Sequence, residues 1–467
     1  MSEQKTPTEL GTRPVGKLLL EYALPAIIAM TASSLYNLVD SIFIGQGVGA
    51  MAISGLAVTH PIMNVSAAFG AMVGVGGSAM ISLKLGQRDN KTAQLILGNI
   101  VVLNTILGLI LGILCLTFMK EVLTFFGATP GLMPYAYDYM SVIMWGNVIT
   151  HLYMGQNSVL RSAGHPRKAM GATMFTVIIN CILDPIFIWP LGMGIKGAAL
   201  ATVLSQALAL VYQLKMLSNR DELLHLHRGI YRIRTHIVKG ILSIGMSPFL
   251  MNLAACLVST LVNQALIHHG GDMAIGAYGI INRVVFIFIM FIIGLNQGMQ
   301  PIVGYNYGAR QYHRVMQTLK YSIIWATCFS TLSFIVGTLL PEQCARMFTD
   351  DAELIGLIVE GMPIICICHA LIGFQIATTN FFQSIGMASK AVFLSLSRQL
   401  TFLLPLIIIL PRFFGTMGVW WSMACSDLLS TLTTAVMLGM QMKKFKKLLA
   451  QEQMVQVEPA VQCPTNE

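Results

Sequence analysis

The stretch Leu18–Gly45, LLLEYALPAIIAMTASSLYNLVDSIFIG, decides how the rest of the chain is read. It is almost wholly apolar and long enough, at 1.5 Å per residue, to cross a hydrocarbon layer about 30 Å thick. Near its far end it carries Asp40, in the run Tyr36-Asn37-Leu38-Val39-Asp40-Ser41. An isolated carboxylate costs several kcal/mol in hydrocarbon, so an acid kept there marks a functional site before any motif is found. The run exceeds a signal-peptide core and no small-residue cleavage pattern follows it, so it is expected to stay in the mature chain.

The rest of the 467 residues repeats this character. Hydrophobic residues make up 55% and charged residues 10%, with a mean hydropathy of +0.70. Soluble domains carry about 25% charge, so the chain reads as an all-α polytopic membrane protein. The nine cysteines form no CxxC or Cys/His pattern, which leaves metal and disulfide chemistry without support.

Apolar runs recur at 18–44, 50–82, 94–119, 134–156, 168–190, 195–217, 236–267, 273–305, 313–340, 352–380, 387–410 and 414–440, twelve spans in all. They divide the chain into a cytoplasmic segment 1–17, an N-lobe 18–217, a linker 218–235, a C-lobe 236–440 and a cytoplasmic, amphipathic tail 441–467 expected to lie on the inner leaflet. Charge sets the orientation. If the N-terminus is inside, the inner loops collect most of the cations, among them Lys84, Arg88, Lys91, Arg161, Arg167, Lys168, Arg310, Arg314, Lys390 and Arg398. The outer loops then hold Lys120, Lys196, Arg346 and Arg412. Both termini are therefore expected in the cytoplasm. The formal charge of +9 is mostly this bias, with an affinity for anionic lipid headgroups and no soluble basic surface for nucleic acid.

The halves repeat one another. Pro25 pairs with Pro248 and Leu38-Val39-Asp40 with Leu261-Val262-Asn263 at a shift of 223 residues. Gly76, Gly86, Arg88, Gly164 and Lys168 pair with Gly298, Gly308, Arg310, Gly386 and Lys390 at 222, and Gly197 and Ser205 with Gly418 and Ser426 at 221. A shift across six spans makes parallel repeats, which predicts two six-helix bundles about a pseudo-two-fold axis along the membrane normal, with a cleft between them.

Polar residues inside spans carry the chemistry. Asn180 and Asp184 stand four apart on one helix face, and Pro185 loosens the backbone beside them. Asp40, Asp184 and Thr202 each fall about 8 to 9 Å below the outer end of their helix. Two carboxylates, an amide and a hydroxyl at one level can share a proton or hold a hard monovalent cation through oxygen. The C-lobe lacks this set: Asn263 stands opposite Asp40, and Phe402, Leu406 and Met423 stand opposite Asn180, Asp184 and Thr202. Its own mid-depth charges, Arg283 and Asp427, are read either as a salt bridge or as substrate contacts. His60, His151 and His369 lack a second ligand at metal spacing and read as hydrogen-bonded packing residues.

Together these features resemble the multidrug and toxic compound extrusion (MATE) family, specifically its bacterial DinF-like and MepA-like branch. The resemblance covers about Gly16 to Gln441. It rests on Leu24-Pro25, on Asn37-Leu38-Val39-Asp40-Ser41-Ile42-Phe43-Ile44-Gly45 and on Gly86-Gln87-Arg88. Leu160-Arg161-Ser162-Ala163-Gly164-His165-Pro166, Asn180-Cys181-Ile182-Leu183-Asp184-Pro185 and the run from Asn296 to Asn306 complete it. It implies a non-enzymatic, alternating-access exporter of cationic or amphipathic compounds, working against H+ or Na+ in the bacterial inner membrane. It also implies a monomer with no cofactor and no metal beyond a coupling Na+. By motif, Asp40, Asn180, Asp184 and Thr202 fall on the family's cation site and Pro25 on the proposed bend of its first helix.

Other branches of the family carry essential C-lobe acids on the seventh and tenth helices. Here those helices offer Asn263, Gln264 and Glu360, a departure that puts a second cation site in doubt. Met30 and Met63, the aromatics Tyr36, Tyr139, Tyr278 and Phe374, and Asn37, Asn263, Gln264, Arg283 and Asp427 are the candidates for a substrate cavity. Two other classes share some features: a lipid-linked oligosaccharide flippase of the same superfamily, which would need more basic residues in its cleft, and an intramembrane aspartyl protease, whose Gly-x-Gly-Asp run is missing.

Overall fold

A computed structural model describes residues 9–457, and every regular element in them is helical. Spans 1 to 3 are Val15–Gly47, Ala50–Gly86 and Asn90–Thr117. Span 4 is two pieces, Met133–Trp145 and Asn147–Ser162, meeting at Gly146. Spans 5 and 6 are Pro166–Ile188 and Gly194–Leu217. In the second half, spans 7, 8 and 9 are Thr235–Gly271, Met273–Gly308 and Tyr312–Leu339, and span 10 bends by 49° between Ala352–Cys366 and His369–Ser384. Spans 11 and 12 run from 388 and from 416 on either side of Gly415, whose φ of 57° breaks the helix.

Among the described residues, twelve helical spans therefore stand where the apolar runs place them. The two pieces of span 4 are not among the helices long and apolar enough to cross a membrane, and two differences stand out. Span 4 is the least uniformly apolar, because its second piece buries Asn147, His151, Gln156, Asn157 and Ser162 against neighbouring helices. Span 12 does not end near 440. Its helix continues to Val457, and Phe445 is buried in a ring cluster with Tyr307, Tyr312 and Phe381. Burying that ring outweighs what a surface-lying helix would gain from lysine contacts with headgroups.

The duplication extends to the backbone. Among the described residues, Arg88 and Arg310 are the non-glycine residues with positive φ, each at 59°. Three glycine pairs share positive φ across the repeat: Gly49 with Gly271 and Gly164 with Gly386 at a shift of 222, and Gly194 with Gly415 at 221.

Packing shows how the lobes sit. One hydrophobic core joins both lobes through Leu18, Leu19, Tyr22, Ile81, Ile241, Met299 and Ile302. Two further cores are separate: one within the C-lobe around Val262, Ile281, Ile358 and Trp420, the other within the N-lobe around Ile44, Ala52, Tyr139 and Ile195. The joint is close because glycine allows it. A Cβ on Gly245 would lie 1.8 Å from the Met72 carbonyl oxygen, and one on Gly76 would lie 2.1 Å from that of Ile241. Phe69 and Phe249 also pack across the joint at 4.7 Å, and each lobe is held besides around a core of its own. The lobes meet closely at the end of the molecule that carries Gly86 and Gly308, where an added Cβ would lie 1.9 Å from Tyr305 O and 2.1 Å from Leu83 O.

Two segments seal that end. The short helix Glu9–Thr12 crosses to the C-lobe, where Asn306 Nδ2 and Arg314 Nη2 donate to the Leu10 carbonyl at 2.9 and 3.1 Å. The linker between the lobes is held by the N-lobe: Asn99 Nδ2 donates to Arg232 O at 3.1 Å, Gln94 Nε2 to Leu223 O at 3.1 Å, and Glu222 pairs with His165 and Lys168 at 2.9 and 3.2 Å.

Candidate functional site

In the N-lobe, spans 1, 5 and 6 bring Asp40, Asn180, Asp184 and Thr202 together. All four are buried, Asn180 and Asp184 completely. The spacing does this: Tyr36 and Asp40 share a face of span 1, Asn180 and Asp184 share a face of span 5, and Thr202 meets both from span 6. The carboxyl groups of Asp40 and Asp184 lie within hydrogen-bonding reach of each other. Asn180 bridges to span 6. With its amide nitrogen directed at Asp184 it donates to Oδ2 at 2.7 Å, and its oxygen accepts from the Thr202 backbone N–H at 3.1 Å. The Thr202 hydroxyl donates to Ala198 O at 3.1 Å and meets the Tyr36 hydroxyl at 3.1 Å.

Satisfaction is incomplete where a cation would sit. Oδ1 of Asp40 and Oδ1 of Asp184 are buried without a protein partner. Among the described residues, no lysine, arginine or histidine pairs with either acid. The donor set is therefore all oxygen: two carboxylates, an amide, and the hydroxyls of Thr202 and Tyr36. That chemistry suits a proton or a hard monovalent cation.

The aromatic candidates divide. Tyr139 belongs to this acid pocket and not to an open cavity: it is 2% exposed within the N-lobe core, near Asp40, Asp184 and Tyr36, whereas Tyr36 is half-buried and reaches the pocket through its hydroxyl. Met63 packs in the same core, accepting from the Thr59 hydroxyl at 3.9 Å. Burial of large apolar bodies wins over cavity lining at these positions. Met30 lies at the joint between lobes, 3.4 Å from Gln297 Nε2. Asn37, Gln264 and Arg283 are exposed, Asn263 and Phe374 half-buried, and Tyr278 packs on Trp420 at 6.3 Å. Glu360 is exposed on span 10. Span 1 stays helical through Pro25.

Asp427 requires a correction. It neither pairs with Arg283 nor lines a cavity; it is buried and accepts from Arg398 Nε at 2.7 Å. Arg398 had been counted with the inner-loop cations, but span 11 carries it into the lobe. A π-helical turn, Ser397–Leu403, surrounds it. Pro405 follows directly, and its missing N–H leaves a carbonyl of the preceding turn free, so the helix widens there. The signal was available in the sequence: Arg398 lies about ten residues inside span 11, and Pro405 marks where its helix is disturbed.

The histidines also separate. His151 bonds Ser66 at 3.1 Å and His369 bonds Ser333 at 3.2 Å, as packing residues do. His60 is exposed on span 2.

With this geometry in place, comparison with known proteins decides the family. The MatE family model matches residues 25–186 and again 248–409, one copy on each lobe. The chain belongs to the MatE family. It is 27% identical over 411 residues to the multidrug export protein MepA of Staphylococcus haemolyticus, covering 88% of this chain and 90% of that one. MepA of Staphylococcus aureus is 25% identical over 419 residues, covering 90% and 92%. Among solved structures, a MATE crystal structure described as in the bent conformation superposes with a TM-score of 0.90 at 25% identity, covering 96% of this chain and all of that one. Another, described as an outward-facing conformation of a multidrug resistance MATE transporter, superposes at 0.89 with 24% identity, covering 95% and 99%. The MatE fold thus accounts for the twelve helices, the repeat and the cleft, and the chain is a multi-pass membrane transporter of the multidrug-efflux type.

Proposed function

We propose that this MatE protein is an antiporter that exports cationic or amphipathic organic compounds, in exchange for H+ or Na+ bound by the N-lobe acids. One observation carries the reading: two buried carboxyl groups from different spans face each other, each with an unpartnered oxygen, and no fixed cation accompanies them. Two carboxylates in contact away from water cannot both stay ionised unless a proton or metal cation joins them. A site of that kind trades charge with the solution it opens to.

The pocket lies about 10 Å below the outer ends of its helices, so in the outward-open form it loads from outside. Loading cancels the repulsion between spans 1 and 5 and lets span 1 settle on span 5. Because Asp40 and Asp184 are sealed within the N-lobe, they act on the cargo through the position of span 1 and not by touching it. Rocking of the loaded lobe about the cytoplasmic joint then exposes the pocket inward, where the ion leaves. Both termini lie in the cytoplasm, as the loop charges require.

The test is efflux of ethidium from proteoliposomes under proton and sodium gradients imposed separately. One gradient should drive efflux, and Asp40→Asn should abolish it while the protein stays folded. Normal pumping by that variant would overturn the reading.

A further inference from the structure

The wall of the C-lobe holds a cavity that the transport scheme does not use. Between span 9 and the last turns of span 12 lies a groove of about 630 Å³, inside the range of about 300–1,000 Å³ that holds discrete ligands. On span 9 it is lined by His313, Gln317, Lys320, Tyr321 and Ile324, the three- and four-residue spacing of one helix face, and Leu438 and Met442 close it from span 12. The opposite face of span 9, with Val315, Ser322 and Ala326, is buried in the lobe. Spans 1, 2, 7 and 8 make the joint between the lobes and none of them lines the groove, so it opens on the outer wall of the C-lobe and not into the cleft.

From His313 to Ile324 the groove runs about 16 Å, the depth of one leaflet of hydrocarbon. Its deep end is apolar. Nearer the rim, Gln317 Nε2 donates to the Tyr321 hydroxyl at 3.4 Å, so these two answer each other. Lys320 is exposed and, among the described residues, makes no ion pair and no hydrogen bond. No carboxylate occurs on span 9, nor on span 12 between Leu428 and Ala450. Glu21 of span 1, whose Gly16 lies beside Tyr321, is taken by Arg13 at 2.9 Å and Arg167 at 3.7 Å. Lys446 completes the rim. It follows Met442 by one turn on the same face of span 12, and Phe445 beside it packs on Tyr312 at 6.0 Å, which sets Lys446 level with the first turn of span 9. It too is exposed and unpaired among the described residues. Side chains lean towards the N-terminus of their helix, and spans 9 and 12 run in opposite directions, so Lys320 leans up to the rim and Lys446 down into it.

We infer that this groove holds an anionic phospholipid of the cytoplasmic leaflet, its acyl chains against Ile324 and Leu438 and its phosphodiester between Lys320 and Lys446. An apolar groove on the lipid-facing wall is filled by chains, and a chain seated there carries its phosphate to two ammonium groups that the protein leaves without a counterion. Snorkelling alone would bring Lys320 to water but would leave the apolar wall beneath it uncovered. The site stands apart from the efflux reading and rests only on the orientation that the loop charges give.

The test is native mass spectrometry of the full-length protein, released from detergent after equilibration with phosphatidylglycerol or with phosphatidylcholine of the same acyl chains. The wild type should retain one phosphatidylglycerol in preference to phosphatidylcholine by about tenfold, what one or two lysines beside an anionic headgroup supply. In the double variant Lys320→Gln with Lys446→Gln that ratio should fall to about one. Lys91→Gln removes an exposed cation of the N-lobe and should leave the ratio unchanged; a fall equal to the double variant's would mean general attraction to a basic surface and would overturn the site. Ile324→Trp fills the groove without touching either charge, and should lower the occupancy of both lipids. Inorganic phosphate, which lacks the chains, should displace neither. Thermal unfolding checks that each variant is intact. If the double variant is misfolded, the wild-type ratio measured across ammonium acetate concentrations decides instead: a preference that does not fall with salt counts against the lysines. Equal retention of the two lipids by the wild type, a ratio unmoved by the double variant, an occupancy unmoved by Ile324→Trp, or displacement by inorganic phosphate would overturn the inference.

Discussion

The two lobes bury carboxylates in opposite ways. In the N-lobe, Asp184 on span 5 faces Asp40 and has no basic partner. In the C-lobe, spans 11 and 12 repeat spans 5 and 6, and there Asp427 is held by Arg398 at 2.7 Å. A carboxylate with a resident guanidinium has its charge settled within the protein. A carboxylate facing another carboxylate must take its compensating charge from solution. On the proposed mechanism, this difference is what lets one repeat couple to an ion while the other keeps its charge settled internally.

The largest expected effect breaks the N-lobe side. Asp40→Asn or Asp184→Asn should reduce gradient-driven efflux to the passive leak. Because each removes a repulsive partner, neither should lower the melting temperature in detergent. Variants that lose transport and also melt many degrees lower would show that the acids are structural, and would erase the contrast between the lobes.

Next comes the C-lobe. Asp427→Asn leaves the Arg398 guanidinium buried without its counterion, a change that costs about 3–5 kcal/mol in comparable pairs. The double variant Arg398→Met with Asp427→Leu should recover much of that loss, since replacing both charges with apolar groups of similar size is close to neutral. Thermal unfolding of the single and double variants supplies the cycle. No recovery in the double variant would mean that the pair is not the unit it looks like. Transport by a folded double variant would sharpen the comparison, placing coupling in the N-lobe alone.

A smaller effect concerns the joint between the lobes. Gly245→Ala places a methyl group against the Met72 carbonyl, so the close joint between the lobes must part or strain. The equilibrium should shift towards the inward-open form, read as faster labelling of a cysteine introduced near the cytoplasmic end of span 8. Arg314→Ala, which frees the Leu10 carbonyl from one of its donors, should act in the same direction and more weakly.

Much of this was legible in the sequence. Apolar length gave the twelve spans, and the shift of 221 to 223 residues gave the two lobes, because a duplicated fold keeps its tight turns: Arg88 and Arg310 adopt the same left-handed φ. The acid pocket was legible because depth along three helices is simple arithmetic. What could not be read was rotation about a helix axis and the behaviour of a disturbed helix. Tyr139 and Met63 have the composition of cavity residues but point into the N-lobe core. Asp427 was set beside Arg283 because both are charged at mid-depth; a π-helical turn, which no periodicity announces, gave it Arg398 instead. The docking of Phe445 was hidden for another reason. Four neighbouring lysines make that stretch look like a surface helix, and one buried ring outweighs them.

The smallest expected effect lies where neither lobe's ion chemistry is engaged. Glu222, in the linker, is held by the N-lobe through His165 at 2.9 Å and Lys168 at 3.2 Å. Burial alone would raise its carboxyl, but the hydrogen bonds and charges of His165 and Lys168 outweigh this and hold it below its ordinary value. A carboxyl depressed in the folded state contributes stability that is fully present above its unfolded pKa, about 4.3, and is lost as pH falls through the folded value. The linker contact should therefore be unaffected at neutral pH and loosen only in strong acid. Glu222→Gln should lower the melting temperature at pH 7 by a few degrees at most, since the pair is partly solvated, and should flatten the acid limb of stability against pH. If efflux at neutral pH changed as much in this variant as in Asp40→Asn, charge compensation in the membrane would not be what distinguishes the two lobes, and the linker would have to be counted among the moving parts.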